Sequence, residues 1–265
     1  MTDGTQAPTL RALLDYRPPD DLLRGRAILV TGGAEGIGRA VACAYGRCGA
    51  VVILVDRNRR ALHALREAFV AAGWRAPMVC TMDLARARLS DLRDLAARVD
   101  GEFGRLDGLL NNAGWIGALT PFEHCDPATW GKTLSVNLAA PFFLTQWSMQ
   151  LLKRSSDPAI VFSLHHAQRA HWGAYGIAKA GLEALVHILA DEYHPQSAFP
   201  MRVIGVDPGP VATAERRRHY PGEPPDAHPQ PDAVVGPYLY AMGPEGQSGL
   251  VLRHAPPPCG GLHVA

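Results

Sequence analysis

Short apolar runs alternate along the chain with longer amphipathic stretches. Ala27-Ile-Leu-Val-Thr31 and Val51-Val-Ile-Leu-Val55 are unbroken runs of β-branched and aliphatic residues, the pattern of strands buried on both faces. Met78–Thr81, Asp107–Asn111, Ala159–Leu164 and Met201–Val206 read as further strands, and Gly249–Arg253 as a seventh. Between them, Gly36–Cys48, Asn58–Ala72, Arg86–Phe103, Pro127–Lys153 and Ala174–Tyr193 carry helical spacing. Asn58 stands where an N-cap is needed, and Pro141 interrupts the longest of these stretches. Strands alternating with helices predict right-handed βαβ crossovers and a parallel sheet. The expected fold class is therefore α/β, a single-domain Rossmann-type doubly wound parallel sheet of about seven strands with helices on both faces. Residues 1–24, with Pro8, Pro18 and Pro19, read as an N-terminal arm, and residues 25–265 as one domain. The proline-rich stretch 214–237 reads as a surface excursion that forms a substrate loop.

Composition narrows the classes of function. A net charge of +1 over 265 residues gives no electrostatic reason to expect nucleic acid or an anionic membrane as partner. Leu134–Leu144 is the most apolar stretch, but Asn137 and Pro141 break it and it is too short to span a bilayer. The five cysteines, Cys43, Cys48, Cys80, Cys125 and Cys259, are odd in number and form no C-x-x-C pair. They predict neither a disulfide framework nor a zinc site, and a cytoplasmic protein. The first residues carry acids and no long apolar run, unlike a signal peptide.

Thr31-Gly32-Gly33-Ala34-Glu35-Gly36-Ile37-Gly38 joins the first strand to the first long helix. Glycines there let backbone N–H groups approach a pyrophosphate, and the helix N-terminus favours the anion. Asp56 ends the second strand, the place of a carboxylate that binds a ribose 2′-hydroxyl. That carboxylate, with Glu35 nearby, favours NAD over NADP, because a 2′-phosphate would meet like charge. Arg57 is the opposing signal, since a guanidinium pairs with phosphate. Asp83 and Leu84 follow the third strand, where they meet an adenine ring or simply cap the next helix.

Together with Asn111-Asn112-Ala113-Gly114, Asn137, Tyr175-Gly-Ile-Ala-Lys179 and Pro208-Gly-Pro-Val-Ala-Thr213, this loop resembles the short-chain dehydrogenase/reductase family, in the family's order, over roughly Leu22–Leu252. Trp172-Gly-Ala-Tyr175, Leu189-Ala-Asp-Glu-Tyr193, Tyr238-Leu-Tyr-Ala-Met-Gly243 and the lead-in Tyr16–Leu23 are similar to YciK-type bacterial oxidoreductases, a subgroup poorly defined in substrate. The resemblance implies hydride transfer between NAD(H) and a small alcohol or carbonyl compound, in a homodimer or homotetramer. Its cofactor contacts would be Gly32, Glu35, Gly36, Ile37, Gly38, Asp56, Arg57, Asp83, Leu84, Asn111, Ala113, Gly114, Tyr175, Lys179, Pro208, Gly209, Val211 and Thr213. Its catalytic set would be Asn137, Ser163, Tyr175 and Lys179, with Asn137 anchoring a proton-relay water.

The Tyr175/Lys179 pair has its own logic. Four residues apart on a helix, the two side chains share a face. A phenol near pKa ~10 is a poor base at neutral pH, and a neighbouring ammonium lowers that value. Tyr175 can then exchange a proton with a substrate oxygen. The family's serine would fall at Phe162. Ser163 takes the role if the following loop is shortened by one residue, and His165 takes it if the count runs forward from the fifth strand. His165, His166 and His171 cluster in one loop, with no metal expected. Arg216-Arg217-Arg218 either holds an acidic group or is a solvated face. The unusual serine region leaves open a catalytically weak NAD(H)-binding regulator or scaffold.

Overall fold

The computed structural model describes residues 7–254, so Cys259 lies outside the described residues. Its strands are β1 (Ala27–Thr31), β2 (Val51–Asp56), β3 (Met78–Thr81), β4 (Gly108–Asn111), β5 (Ala159–Ser163), β6 (Arg202–Asp207) and β7 (Val251–Arg253). They form one sheet in the order β3-β2-β1-β4-β5-β6-β7, parallel throughout. Every residue of β1, β4 and β5 is buried, which explains why these runs show no polar alternation.

The helices are α1 (Leu10–Leu14), α2 (Gly36–Arg47), α3 (Arg59–Ala71), α4 (Leu89–Phe103), α5 (Pro127–Leu134), α6 (Ala140–Leu152), α7 (Gly173–Glu192), α8 (Ala214–His219) and α9 (Gly236–Met242). One face of the sheet gives Ile28, Val30, Val52 and Leu54 to a core with Val41 and Tyr45 of α2, Leu62 and Phe69 of α3, and Tyr238 of α9. The other face gives Leu29, Ile53, Leu109 and Ile160 to a core with Leu95 of α4, Leu144 of α6 and Leu182 of α7. Successive strand residues thus serve opposite cores, as the period of two requires.

Three elements depart from expectation. The long helical stretch is divided: α5 and α6 are joined by a π-helical turn, Ser135–Ala139. Pro141 has no N–H to return to the carbonyl of Asn137, so the ladder rewinds there. Helix α4 begins at Leu89 rather than Arg86, because Asp83 Oδ1 accepts the Ala85 N–H (3.1 Å) and closes a turn first. The stretch read as an N-terminal arm contains α1, whose Leu10 and Leu13 are buried in the first core. Gly236 lets the backbone carbonyl of Leu13 approach α9 where a Cβ would collide with it.

Candidate active site

Parallel strands leave all their carboxyl ends on one edge. The order reverses between β1 and β4, where a crevice opens. A cavity of about 410 Å³ runs along it, from Asp56 and Arg57 at one end to Tyr175, Lys179 and Tyr238 at the other.

The glycine loop is held open by its neighbours. Gly32 and Gly36 have φ of +64° and +55°, conformations that disfavour side chains. A Cβ on Gly38 would run into the Gly32 carbonyl and the Asn112 amide. Asn112 Nδ2 donates to the carbonyls of Thr31 (3.0 Å) and Gly32 (3.3 Å). Thr31 Oγ1 accepts the N–H groups of Asn112 (3.0 Å) and Ala113 (3.1 Å). The N-cap residue of α2, Glu35, makes no side-chain capping bond, so the first N–H groups of that helix stay available to an anion. At the end of β2, Asp56 accepts from the N–H of Ala34 (3.2 Å) and of Asn58 (2.9 Å). Asn58 Nδ2 donates to Glu35 Oε1 (2.7 Å), tying loop to strand end. This cradle and its carboxylate suit a dinucleotide: glycine backbone for the pyrophosphate, Asp56 for a ribose.

Most of the expected contacts line the cavity: Gly32, Glu35, Gly36 and Ile37 of the loop; Asp56, Arg57, Asp83 and Leu84 beyond β2 and β3; Ala113 and Gly114 after β4; Pro208, Gly209, Val211 and Thr213 after β6. Two expected contacts do not. Gly38 lies behind the loop and serves its close packing. Asn111 turns into the core, where its Nδ2 donates to Thr145 Oγ1 (3.0 Å). Strand alternation sends Asn111 inward and leaves Asn112 on the groove.

Tyr175 and Lys179 sit in the first turns of α7, 8% and 4% exposed. Lys179 Nζ lies 5.7 Å from the Tyr175 ring centroid and donates to the Ser163 carbonyl (2.8 Å). Burial pulls the Lys179 ammonium down to about 8, against the attraction of Asp207. Contrary to the lowering expected from a neighbouring ammonium, burial pushes the Tyr175 phenol well above its ordinary value, and the charges of Asp207 and Glu215 add to the rise. Asp207, buried at the end of β6, accepts the N–H groups of His166 (2.7 Å) and Gly209 (3.0 Å).

The hydroxyl of Ser163 is engaged away from Tyr175. Its Oγ bonds Asn112 Oδ1 (3.1 Å) and the Tyr238 hydroxyl (3.2 Å). The group within reach of the Tyr175 hydroxyl is His165, with Nδ1 at 3.4 Å. Asn137 is fully buried in the π turn. Its Nδ2 donates to the carbonyls of Trp115 and Thr133 (both 2.8 Å), and its Oδ1 accepts the Trp115 N–H (3.2 Å). Asn137 therefore fixes the loop after β4 beside the cavity. Of the three arginines, Arg216 is spent on Glu223 (Nε–Oε2 2.7 Å) and lies over the Tyr220 ring at 4.7 Å. Arg218 pairs with Glu215 at 3.4 Å. Among the described residues no group of three or more His, Cys, Asp or Glu could hold a metal, and no helix is long and apolar enough to cross a membrane.

The family model for short chain dehydrogenases matches residues 26–223. The chain belongs to the short-chain dehydrogenase family. It is 37% identical over 233 residues to YciK of Escherichia coli K12, an uncharacterized oxidoreductase, covering 87% of this chain and 91% of that protein. A short chain dehydrogenase structure from Pseudomonas syringae superposes with a TM-score of 0.86 at 41% identity, covering 90% of this chain and 98% of the other. A Shigella flexneri short chain dehydrogenase complexed with NADP gives a TM-score of 0.83 at 35% identity over 88% of this chain and 98% of that one. The parallel sheet with helices on both faces is thus the fold of this oxidoreductase family.

Sequence reasoning passed over Asn112, Asp207 and Tyr238. Asn112 lies within the Asn111–Gly114 motif, and the alternation of β4 is the signal that it faces the groove. Asp207 ends an apolar strand, as Asp56 does. Tyr238 stands in a segment that carries the family resemblance, but nothing local shows that its hydroxyl meets Ser163.

Proposed function

We propose that this short-chain dehydrogenase interconverts secondary alcohols and ketones with NAD(H), Tyr175 acting as general acid and base. The observation that carries the reading is the burial of Tyr175 and Lys179 together in the cavity that the glycine loop and Asp56 also line. A bound nicotinamide supplies or accepts the hydride. The chain does the rest. Glycine-loop amides would hold the phosphates and Asp56 the adenosine ribose, and Lys179 keeps a positive charge beside the phenol. At neutral pH burial keeps Tyr175 protonated, the state required of an acid that protonates a carbonyl oxygen during reduction. The intact pair favours an enzyme over a protein that merely binds the cofactor, because binding alone needs no buried phenol and ammonium at the far end of the cavity.

NAD(H) is favoured by Asp56 and Glu35, two carboxylates tied together through Asn58 that would repel a 2′-phosphate bound beside them. NADP(H) is the second reading. It is favoured by Arg57 in the groove and by the NADP in the Shigella neighbour. Fluorescence titration with NADH and NADPH separates them: tighter NADH binding, with the preference reversed in Asp56→Gly, supports the first, and tighter NADPH binding to the native chain supports the second. Assembly into a dimer or tetramer fits the exposed Phe142 and Trp147 of α6 and Ile177 and Ile188 of α7, and light scattering reads the mass directly.

A further inference from the structure

His165 lies two residues beyond β5, in a loop fixed by the Asp207 bond to the next backbone N–H. Its ring stands edge-on to Trp172, with centroids 5.0 Å apart and planes at 85°. It meets the Tyr175 ring at 5.7 Å and 72°. Its Nδ1 is 3.4 Å from the Tyr175 hydroxyl, and both residues line the cavity. Two polar atoms at that separation can both reach one oxygen at about 2.8 Å. A substrate oxygen seated against Tyr175 is therefore within reach of the imidazole. Ser163 is not free for this task, its hydroxyl being shared between Asn112 and Tyr238.

We propose that His165 is a catalytic residue whose neutral imidazole donates an Nδ1–H hydrogen bond to the reacting oxygen, the role that the family resemblance gives to a serine. This rests on the oxidoreductase reading above. The imidazole stays neutral because burial drives its pKa down to about 4, with Lys179, Arg169 and Arg216 adding to the fall and Asp207 opposing it. In reduction, hydride adds to the carbonyl carbon and the π pair moves onto oxygen. Tyr175 gives that oxygen its proton and becomes a phenolate beside Lys179. His165 keeps its proton throughout and stabilises the negative charge as it develops. In oxidation the same steps reverse. Ser163 is then a positioning residue that holds Asn112 and Tyr238 in place.

Nitrogen-15 NMR of the imidazole rings tests this without a substrate, with His165→Asn supplying the assignment. At pH 7 the His165 ring should be neutral with its proton on Nδ1. Its Nδ1 resonance should move in Tyr175→Phe while those of His166 and His171 stay. A proton on Nε2 makes Nδ1 an acceptor from Tyr175 and overturns the proposal, as does an imidazolium at pH 7. The kinetic arm uses NADH and a ketone that the wild type reduces. His165→Ala should lower kcat about 100-fold or more with NADH affinity unchanged. His165→Asn, which keeps an N–H near the position of Nδ1, should recover part of the loss. Full activity in His165→Ala sinks the proposal. Failure of the wild type to bind NADH or NADPH sinks the oxidoreductase reading instead, and normal cofactor binding with the wrong tautomer sinks only the histidine role.

Discussion

The role proposed for Tyr175 rests on what surrounds its hydroxyl. Removing that oxygen in Tyr175→Phe should cost about 10²–10⁴ in turnover and leave NADH affinity within error, by the same fluorescence titration. Ketone reduction should also fall as pH rises through about 8, where Lys179 loses its proton and the phenolate its partner. A pH–kcat profile that stays flat to pH 10 would deny Lys179 that role. His165 makes a stability prediction of definite sign. Its folded pKa of about 4 lies below the ordinary 6.5, so between those values the unfolded chain binds more protons than the folded one. Stability then falls as pH falls through that window, by at most about 1.4 kcal/mol per pH unit for one group. Thermal melts should show the wild type losing more than His165→Asn between pH 6.5 and 4.5. At this scale the meeting of Tyr175, Lys179 and Asp56 on one cavity was legible because each is a charged or titratable residue at a motif's spacing. The choice between Ser163 and His165 was not, because it depends on how the chain turns after β5.

At the scale of elements, the glycine loop is a set of close approaches. Gly38→Ala forces a Cβ against the Gly32 carbonyl and the Asn112 amide. Relieving that contact displaces backbone that should touch the pyrophosphate, at about 1–3 kcal/mol of overpacking. NADH affinity should drop at least about tenfold, the equivalent of ~1.4 kcal/mol; an unchanged Kd would deny the loop its role. The strands and main helices were readable because a buried parallel strand is a continuous apolar run and its covering helix is amphipathic. The π turn was not readable as such: Pro141 signals a fault in the helix, but whether the fault becomes a kink, a break or a wide turn depends on packing. Here Asn137 settles it by binding both backbone groups of Trp115.

For the molecule as a whole, the segment before β1 is part of the structure that supports the site. Leu13 packs with Leu10 against α9, and α9 delivers Tyr238 to Ser163. Leu13→Ala should cost about 2–4 kcal/mol, read as a lower urea midpoint with an unchanged slope. A midpoint equal to the wild type's would show α1 to be a dispensable attachment. The sequence hid this because a single helical turn with two buried leucines has too little periodicity to stand out among prolines.

The alternation of apolar runs with amphipathic stretches determined the sheet, its parallel sense and the place of the glycine loop, since these follow from local periodicity and the handedness of crossovers. Motif spacing likewise put Tyr175 and Lys179 on one face of α7. Only tertiary structure decided which polar side chains face one another across the cavity. That is why Asn112 took the groove in place of Asn111, Ser163 was drawn to Tyr238, and His165 came to the phenol. Those pairings join residues up to 75 positions apart, and no local pattern of hydrophobic and polar positions encodes them.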